Sequence, residues 1–478
     1  MSVRSLSLAF LIALLALAPP AAAARWRDIG PITPSGTPDV GFHYAVDSRG
    51  NLTFLYQQFD INDAPDGPMM YRDRLAREAP GAPARFPYPV RPGDLPELTV
   101  TAGGEQLAAW VVIENGSDSV LVSTRRNGGA WSEPQVVADR LLRATGLRIA
   151  AAPGGEAVIM WATVHRVGSG KAVYDTTVNA AVRPAGSASF GAVAELGRGD
   201  IYPVDTALAL DETGNGLVAW TEPGTGVHVV RHAAGRGFAH PQTLGASARY
   251  APRLAVAPSG RALLAWFDLP PRQADGPAFA ALGTTRRGFK DPVELGSSAS
   301  LPAVAIDDTV AAVSWEESRR RGGRVRAVLV RPGQTLAQRP TSTVARHSTL
   351  SWGPTVARGR VAFAWEAKAV VRARTARADG DFTPAQTLSS RRNGSQLLAV
   401  ESNRRGEPFM VWVAYRAHRH GNRIQAAKAG FRSGRFARRQ NVARNADKDG
   451  LDLIPGVGGS MLLAFGTSGY DLHTYGER

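Results

Sequence analysis

The chain of 478 residues contains no cysteine. No disulfide can constrain its unfolded state, so the fold must rest on core burial alone. Lysine is almost absent, with 51 of the 56 basic residues being arginine. Long apolar runs are missing apart from Leu6 to Leu17, and that stretch falls short of the about 20 residues needed to cross a bilayer. The nine histidines show no zinc-ligand spacing; His418 and His420 stand two apart with no carboxylate beside them. No phosphate-cradling glycine loop, nucleophile elbow or dinucleotide fingerprint occurs, and no cofactor is expected. These absences exclude disulfide-stapled, membrane-spanning helical and common nucleotide-dependent classes.

What is present begins with a leader. Arg4, the apolar Leu6 to Leu17 and the small residues Ala22-Ala23-Ala24 before Arg25 have the form of a cleaved signal peptide over residues 1–24. The mature chain is expected to be secreted or periplasmic. With 56 basic and 41 acidic residues, the formal charge is +15. Such a surface attracts acidic polysaccharide, anionic lipid or nucleic acid through its summed field. Arginine bias can also come from base composition, so the charge speaks first to non-specific association, and no specific nucleic-acid partner is expected.

An aromatic residue closes a short apolar run nine times: Tyr56, Trp110, Trp161, Trp220, Trp266, Trp315, Trp365, Trp412 and Phe465. Successive markers lie 46 to 59 residues apart. Strand-like alternation repeated at about 50 residues describes an array of small sheets rather than helices. Each unit reads as four strands. Tight turns such as Asp47 to Gly50, Asp211 to Gly214 and Pro258 to Gly260 precede the aromatic-ended second strand. A second marker opens the fourth strand at Phe86, Trp131, Phe190, Phe238, Phe289, Leu336, Phe382 and Phe436. Several of these are followed by a matching tail, as in Pro134-Gln135, Pro241-Gln242 and Ala385-Gln386.

No such marker follows Phe465, whereas Trp26 with Asp28-Ile29-Gly30-Pro31 has its form. The reading is therefore an all-β, single closed β-propeller over residues 25–478, of nine four-stranded blades with eight as the alternative. Residues 25–32 are expected to supply the outer strand of the last blade. The seven spaced tryptophans are expected to be packing residues, with Trp131 and Trp26 packing as fourth-strand markers. A ring that pairs its own ends is expected to be monomeric.

The units resemble the sialidase-type propeller repeats, or BNR repeats, of secreted bacterial proteins. The nearest approach to that family's Asp box is Thr124-Arg-Arg126-Asn-Gly128-Gly-Ala130-Trp131, where Arg126 replaces the aspartate. Arg231 to Phe238 and Thr375 to Phe382 keep less. The resemblance implies the propeller architecture and leaves a sialidase-like glycoside hydrolase as the alternative function. That chemistry needs three arginines, a tyrosine–glutamate pair and an acid/base aspartate. The family's early Phe/Tyr-Arg-Ile-Pro motif is absent, Arg85-Phe86-Pro87 being the nearest string, and no catalytic set is assigned. Asp60, Asn62, Asp63 and Asp66 offer oxygen ligands without a complete calcium-loop pattern and are read as a polar loop, so no metal is assigned.

The loop after the central aromatic varies most. In unit 6 it turns basic through Arg319, Arg320, Arg321 and Arg324, in unit 7 it is the short Glu366-Ala367-Lys368, and in unit 8 it carries Arg416, His418, Arg419, His420 and Arg423. A short loop between two longer basic ones predicts a notch over unit 7. Arg319, Arg321, Arg324, Lys368, Arg419 and Arg423 are its candidate ligand-binding residues, since convergent guanidinium groups hold carboxylate, sulfate or phosphate. A solvated basic surface is the competing account of the same residues. The leading functional expectation is a secreted, non-catalytic scaffold that binds an acidic glycan or a cell-surface protein.

Overall fold

The computed structural model describes residues 26–33, 39–58, 67–76, 78–126, 128–167, 173–199, 206–222, 225–245, 252–268, 276–317, 323–348, 350–391, 394–415, 422–444, 451–456, 459–466 and 472–477. Among them there is no α-helix. The strands succeed one another as antiparallel four-stranded units, which gives a β-propeller-like fold.

Sheet one holds Asp39–Val46, Leu52–Gln58, Met69–Arg74 and Ala84–Arg85, and sheet two holds Glu97–Val100, Glu105–Glu114, Ser117–Arg126 and Gln135–Leu141. Sheet three is Arg143–Ala151, Ala157–Val167, Val173–Arg183 and Ala194–Gly199. Sheet four is Thr206–Leu210, Gly216–Glu222 and Gly226–Ala233, with Gly237–Phe238 and Gln242–Leu244 both pairing to the third strand. Sheet five starts with Arg253–Val256, Arg261–Phe267 and Gly276–Thr284; sheet six contains Ala311–Glu317, Gly323–Val330 and Ser342–Ser348. Sheet seven is Leu350–Ala357, Arg360–Ala367, Val370–Arg377 and Gln386–Thr387, and sheet eight is Ser395–Ser402, Pro408–Ala414, Arg423–Lys428 and Gln440–Arg444. Sheet nine combines Asp452–Pro455, Met461–Gly466 and Leu472–Glu477 with Trp26–Pro31, which pairs antiparallel to Leu472–Glu477.

One junction departs from the sequence reading. A single 14-residue strand, Val293–Ile306, is the fourth strand of sheet five and the first of sheet six. Small residues from Gly296 to Ser300 and register shifts on both sides let it bend from one sheet into the next. Several second markers, Trp131, Phe190, Leu336, Phe382 and Phe436, precede their fourth strands rather than lie within them. Phe382 and Phe436 make only isolated bridges before Gln386–Thr387 and Gln440–Arg444.

The first strands of consecutive sheets contact one another, which puts them at the inner side of the array. The second strands carry the core. Period-two alternation sends the central aromatic and every second residue before it toward the preceding sheet, and the residues between toward the following one. Thus Ala262, Leu264 and Trp266 join Leu217, Ala219 and Val229 of sheet four, whereas Leu263 and Ala265 join Val313 and Trp315 of sheet six. All seven spaced tryptophans are buried. Three of them press edgewise on a glycine of the preceding sheet's fourth-strand region: Trp220 on Gly197, Trp266 on Gly245 and Trp315 on Gly296. A Cβ at Gly197 would stand 2.5 Å from Trp220 Cζ2. Trp131 packs on Phe86 and Tyr71, and Trp26 meets Phe409 edge to face at 6.1 Å.

Sheets nine and one also share a core, in which Ile454, Leu462 and Ala464 meet Ile32, Phe42, Phe54 and Tyr56. Arg72 donates from Nη1 to the carbonyl oxygens of Pro31 and Ile32, each at 2.8 Å, holding the chain where it leaves sheet nine.

Candidate functional site

Glutamines of the repeated tails act as clamps between sheets. The Gln386 amide accepts from the Phe436 N–H at 2.8 Å and donates to its carbonyl at 3.3 Å. Gln135 does the same to Phe190, and Gln242 to Phe289. The clamp fixes the second marker of one sheet against the fourth strand of the sheet before it. Between sheets seven and eight the outer side of this junction opens into a groove of about 570 Å³.

The groove is basic. Arg423, half-buried at the start of the third strand of sheet eight, faces it together with the exposed Arg438 and Arg439. Gln425 and Asn441 add amides, Gln425 Nε2 donating to Asn441 Oδ1 at 2.8 Å while its Oε1 accepts from Trp412 Nε1 at 3.1 Å. No carboxylate is among the described residues that line it. Three guanidinium groups and several amides offer many donors and no competing anion, the chemistry that holds carboxylate or sulfate groups of a polymer.

The candidates from the sequence fall as follows. Arg319, Arg321 and Arg419 lie outside the described residues, as do Asp60, Asn62, Asp63 and Asp66 of the polar loop. Arg324, Lys368 and Arg423 stand at the same end of the second-to-third-strand hairpins of sheets six, seven and eight. Lys368 is exposed in a two-residue turn, with φ of 53° at Lys368 and 56° at Ala369. Of these three, only Arg423 lines the groove. Arg438 and Arg439 follow Phe436, whose strand-marker form in the sequence points to packing rather than to a surface site. Their departure from the Pro-Gln form of the other tails was the available signal.

A second group gathers on the inner strands of sheets eight, nine and one. Burial and the neighbouring carboxylates Asp452 and Glu401 push the Tyr44 phenol well above its ordinary pKa. Burial likewise raises Glu401 and Asp452, with His43 pulling Asp452 back. Glu401 Oε1 accepts from the Ser402 N–H at 2.8 Å and from the Thr355 hydroxyl at 3.0 Å. A tyrosine made less acidic is the opposite of an activated nucleophile. The charged groups acting on these three residues, among the described residues, are carboxylates and an imidazole, with no arginine.

No family model matches the chain, and no curated protein matches it. Among solved structures it is similar to the Dos1 propeller at 9% identity, TM-score 0.43, covering 95% of this chain and 94% of that one. It is similar to a lectin from Burkholderia pseudomallei at 13% identity, TM-score 0.38, covering 71% of this chain and 96% of the lectin. A Hadza microbial sialidase is similar at 12% identity, TM-score 0.32, over 66% of this chain and 75% of the sialidase. These are likenesses of architecture; what the chain does is argued from its own residues.

Proposed function

We propose that the chain is a binding scaffold: nine four-stranded units closed into a single propeller through Trp26–Pro31, exported by its leader, and recognising an anionic polysaccharide or another acidic cell-surface ligand through arginine-rich grooves. The observation that carries this reading is the carboxylate-free groove of Arg423, Arg438 and Arg439 between sheets seven and eight. Recognition there is by charge-assisted hydrogen bonds to exposed groups, so it weakens as salt screens them.

The test is a glycan array probed at low and high ionic strength with the wild type and with an R423Q/R438Q/R439Q variant. Binding to acidic glycans is expected to fall with salt and to be lost in the variant, whose melting temperature stays close to wild type because charges in contact with water, fully exposed at Arg438 and Arg439 and half-exposed at Arg423, contribute little to folding. Binding indifferent to both changes refutes the reading. The hydrolase alternative predicts turnover of a fluorogenic sialoside; the raised Tyr44 phenol, on which no arginine acts among the described residues, favours the outcome without turnover.

A further inference from the structure

Arg74 is a buried cation without a counterion among the described residues. It stands opposite Leu52, four residues before the central aromatic Tyr56. The same register place holds Arg125 in sheet two, Arg183 in sheet three and His232 in sheet four. In those three sheets the side chain at this place reaches back to a carboxylate of the preceding sheet. Arg125 Nη1 donates to Asp73 at 2.9 Å, Arg183 grips Glu105 through two bonds of 3.0 and 2.7 Å, and His232 Nε2 lies 2.6 Å from Glu156. Glu105 and Glu156 each lie five residues before the central aromatic of their own sheet. The sheet packed on the corresponding side of sheet one is sheet nine, where the place five residues before Phe465 is held by Ser460.

The consequence is visible at Arg74 itself. Its side chain is 7% exposed, its Nε is buried without a partner, and no hydrogen bond or ion pair joins it among the described residues. Burial alone lowers its pKa, with no carboxylate offsetting it. Arg74 lines a notch of about 910 Å³ between sheets eight, nine and one, where Trp26–Pro31 and Leu472–Glu477 pair without a hairpin joining them. Arg49 and Arg405 are exposed on its wall. Two of its carboxylates are engaged: Asp28 accepts from the Gly30 N–H at 2.9 Å, and Glu407 accepts from Asn403 at 2.8 Å and lies 3.7 Å from Lys428. The third, Glu78, is exposed.

We propose that this notch is a second binding site, for a ligand that carries an oxyanion, whose carboxylate, sulfate or phosphate group takes the place of the carboxylate that sheet nine lacks. A buried guanidinium left unpaired destabilises the protein, and an oxyanion accepting its forked donors relieves that cost. Because the notch spans three sheets, including the pair that brings the two ends of the described chain together, a bound oxyanion stabilises the ring by mass action.

The probes are inorganic sulfate, inorganic phosphate and glucuronate, titrated calorimetrically and followed by thermal melting. At least one is expected to bind and raise the melting temperature, and the order among them identifies which oxyanion the site prefers. Arg74→Met should weaken that binding at least tenfold while melting at or above the wild type without ligand. The exposed double variant R49Q/R405Q should weaken binding several-fold with unchanged ligand-free melting. The groove variant R423Q/R438Q/R439Q should bind the probe as the wild type does, which separates this site from the proposed glycan groove. The proposal is overturned if none of the three ions binds, if Arg74→Met binds as well as wild type, or if that variant melts lower without ligand, which would make Arg74 a structural residue.

Discussion

At the scale of single residues, the seven spaced tryptophans share one slot of their second strands, and three of them, Trp220, Trp266 and Trp315, lie against Gly197, Gly245 and Gly296. Glu401 is different, because folding withdraws it from water beside Asp452 and raises its pKa. A carboxyl group that binds its proton more tightly in the folded state contributes stability that is full below the ordinary glutamate value, about 4.3, and is lost as pH rises through the raised folded value. Glu401→Gln keeps an oxygen to accept from Ser402 and Thr355 while removing the charge. Its melting temperature should match the wild type at pH 4 and exceed it at pH 8. Melting curves of the two proteins that stay parallel across this range would show that Glu401 titrates as an ordinary exposed glutamate.

At the scale of the element, the fourth strand is the short member of sheets one, four and seven. It is only two residues long in sheets one and seven, and three in the longer part of sheet four. The glutamine clamp compensates by tying that strand to the backbone of the next sheet's marker. Gln242 satisfies both the N–H and the carbonyl of Phe289, which is itself buried, at 3.0 and 2.7 Å. Removing the amide leaves two backbone groups of a buried residue without these partners, so Gln242→Ala should cost about 2 kcal/mol in denaturant unfolding. A change below about 0.5 kcal/mol would mean that water replaces the clamp without loss. The repeated Pro-Gln and Ala-Gln tails are legible in the sequence as a pattern. Their purpose is not, since the partner backbone lies 47 to 55 residues away.

At the scale of the whole molecule, the pairing of Trp26–Pro31 with Leu472–Glu477 joins segments from opposite parts of the sequence. The Arg404 guanidinium adds a bond of 3.2 Å to the Ser48 carbonyl, across 356 positions. Deleting residues 25–32 strips Leu472–Glu477 of its partner and uncovers Phe409, Phe465 and Tyr475. The shortened protein should melt well below the full chain and self-associate, and a peptide of residues 25–32 added in trans should restore part of the loss. A monomeric deletion variant with unchanged melting would show that the fold does not depend on this strand.

The sequence by itself determined what depends on near neighbours. Hairpin turns place glycines at positive φ, as Gly50 and Gly214 do. Alternation splits each second strand between two cores, and the spacing of Trp110 through Trp412 sets the repeat. These follow from backbone sterics and the two-residue period, which any short window contains. Tertiary structure alone decided which charges meet. Arg125, Arg183 and His232 find carboxylates 52, 78 and 76 positions away, whereas Arg74 finds none among the described residues. Arg423, at the start of the third strand of sheet eight, and Arg438 and Arg439, just before its fourth, face one groove against sheet seven. Such meetings depend on the twist of each sheet and the angle between neighbours, quantities summed over many residues that no local spacing records.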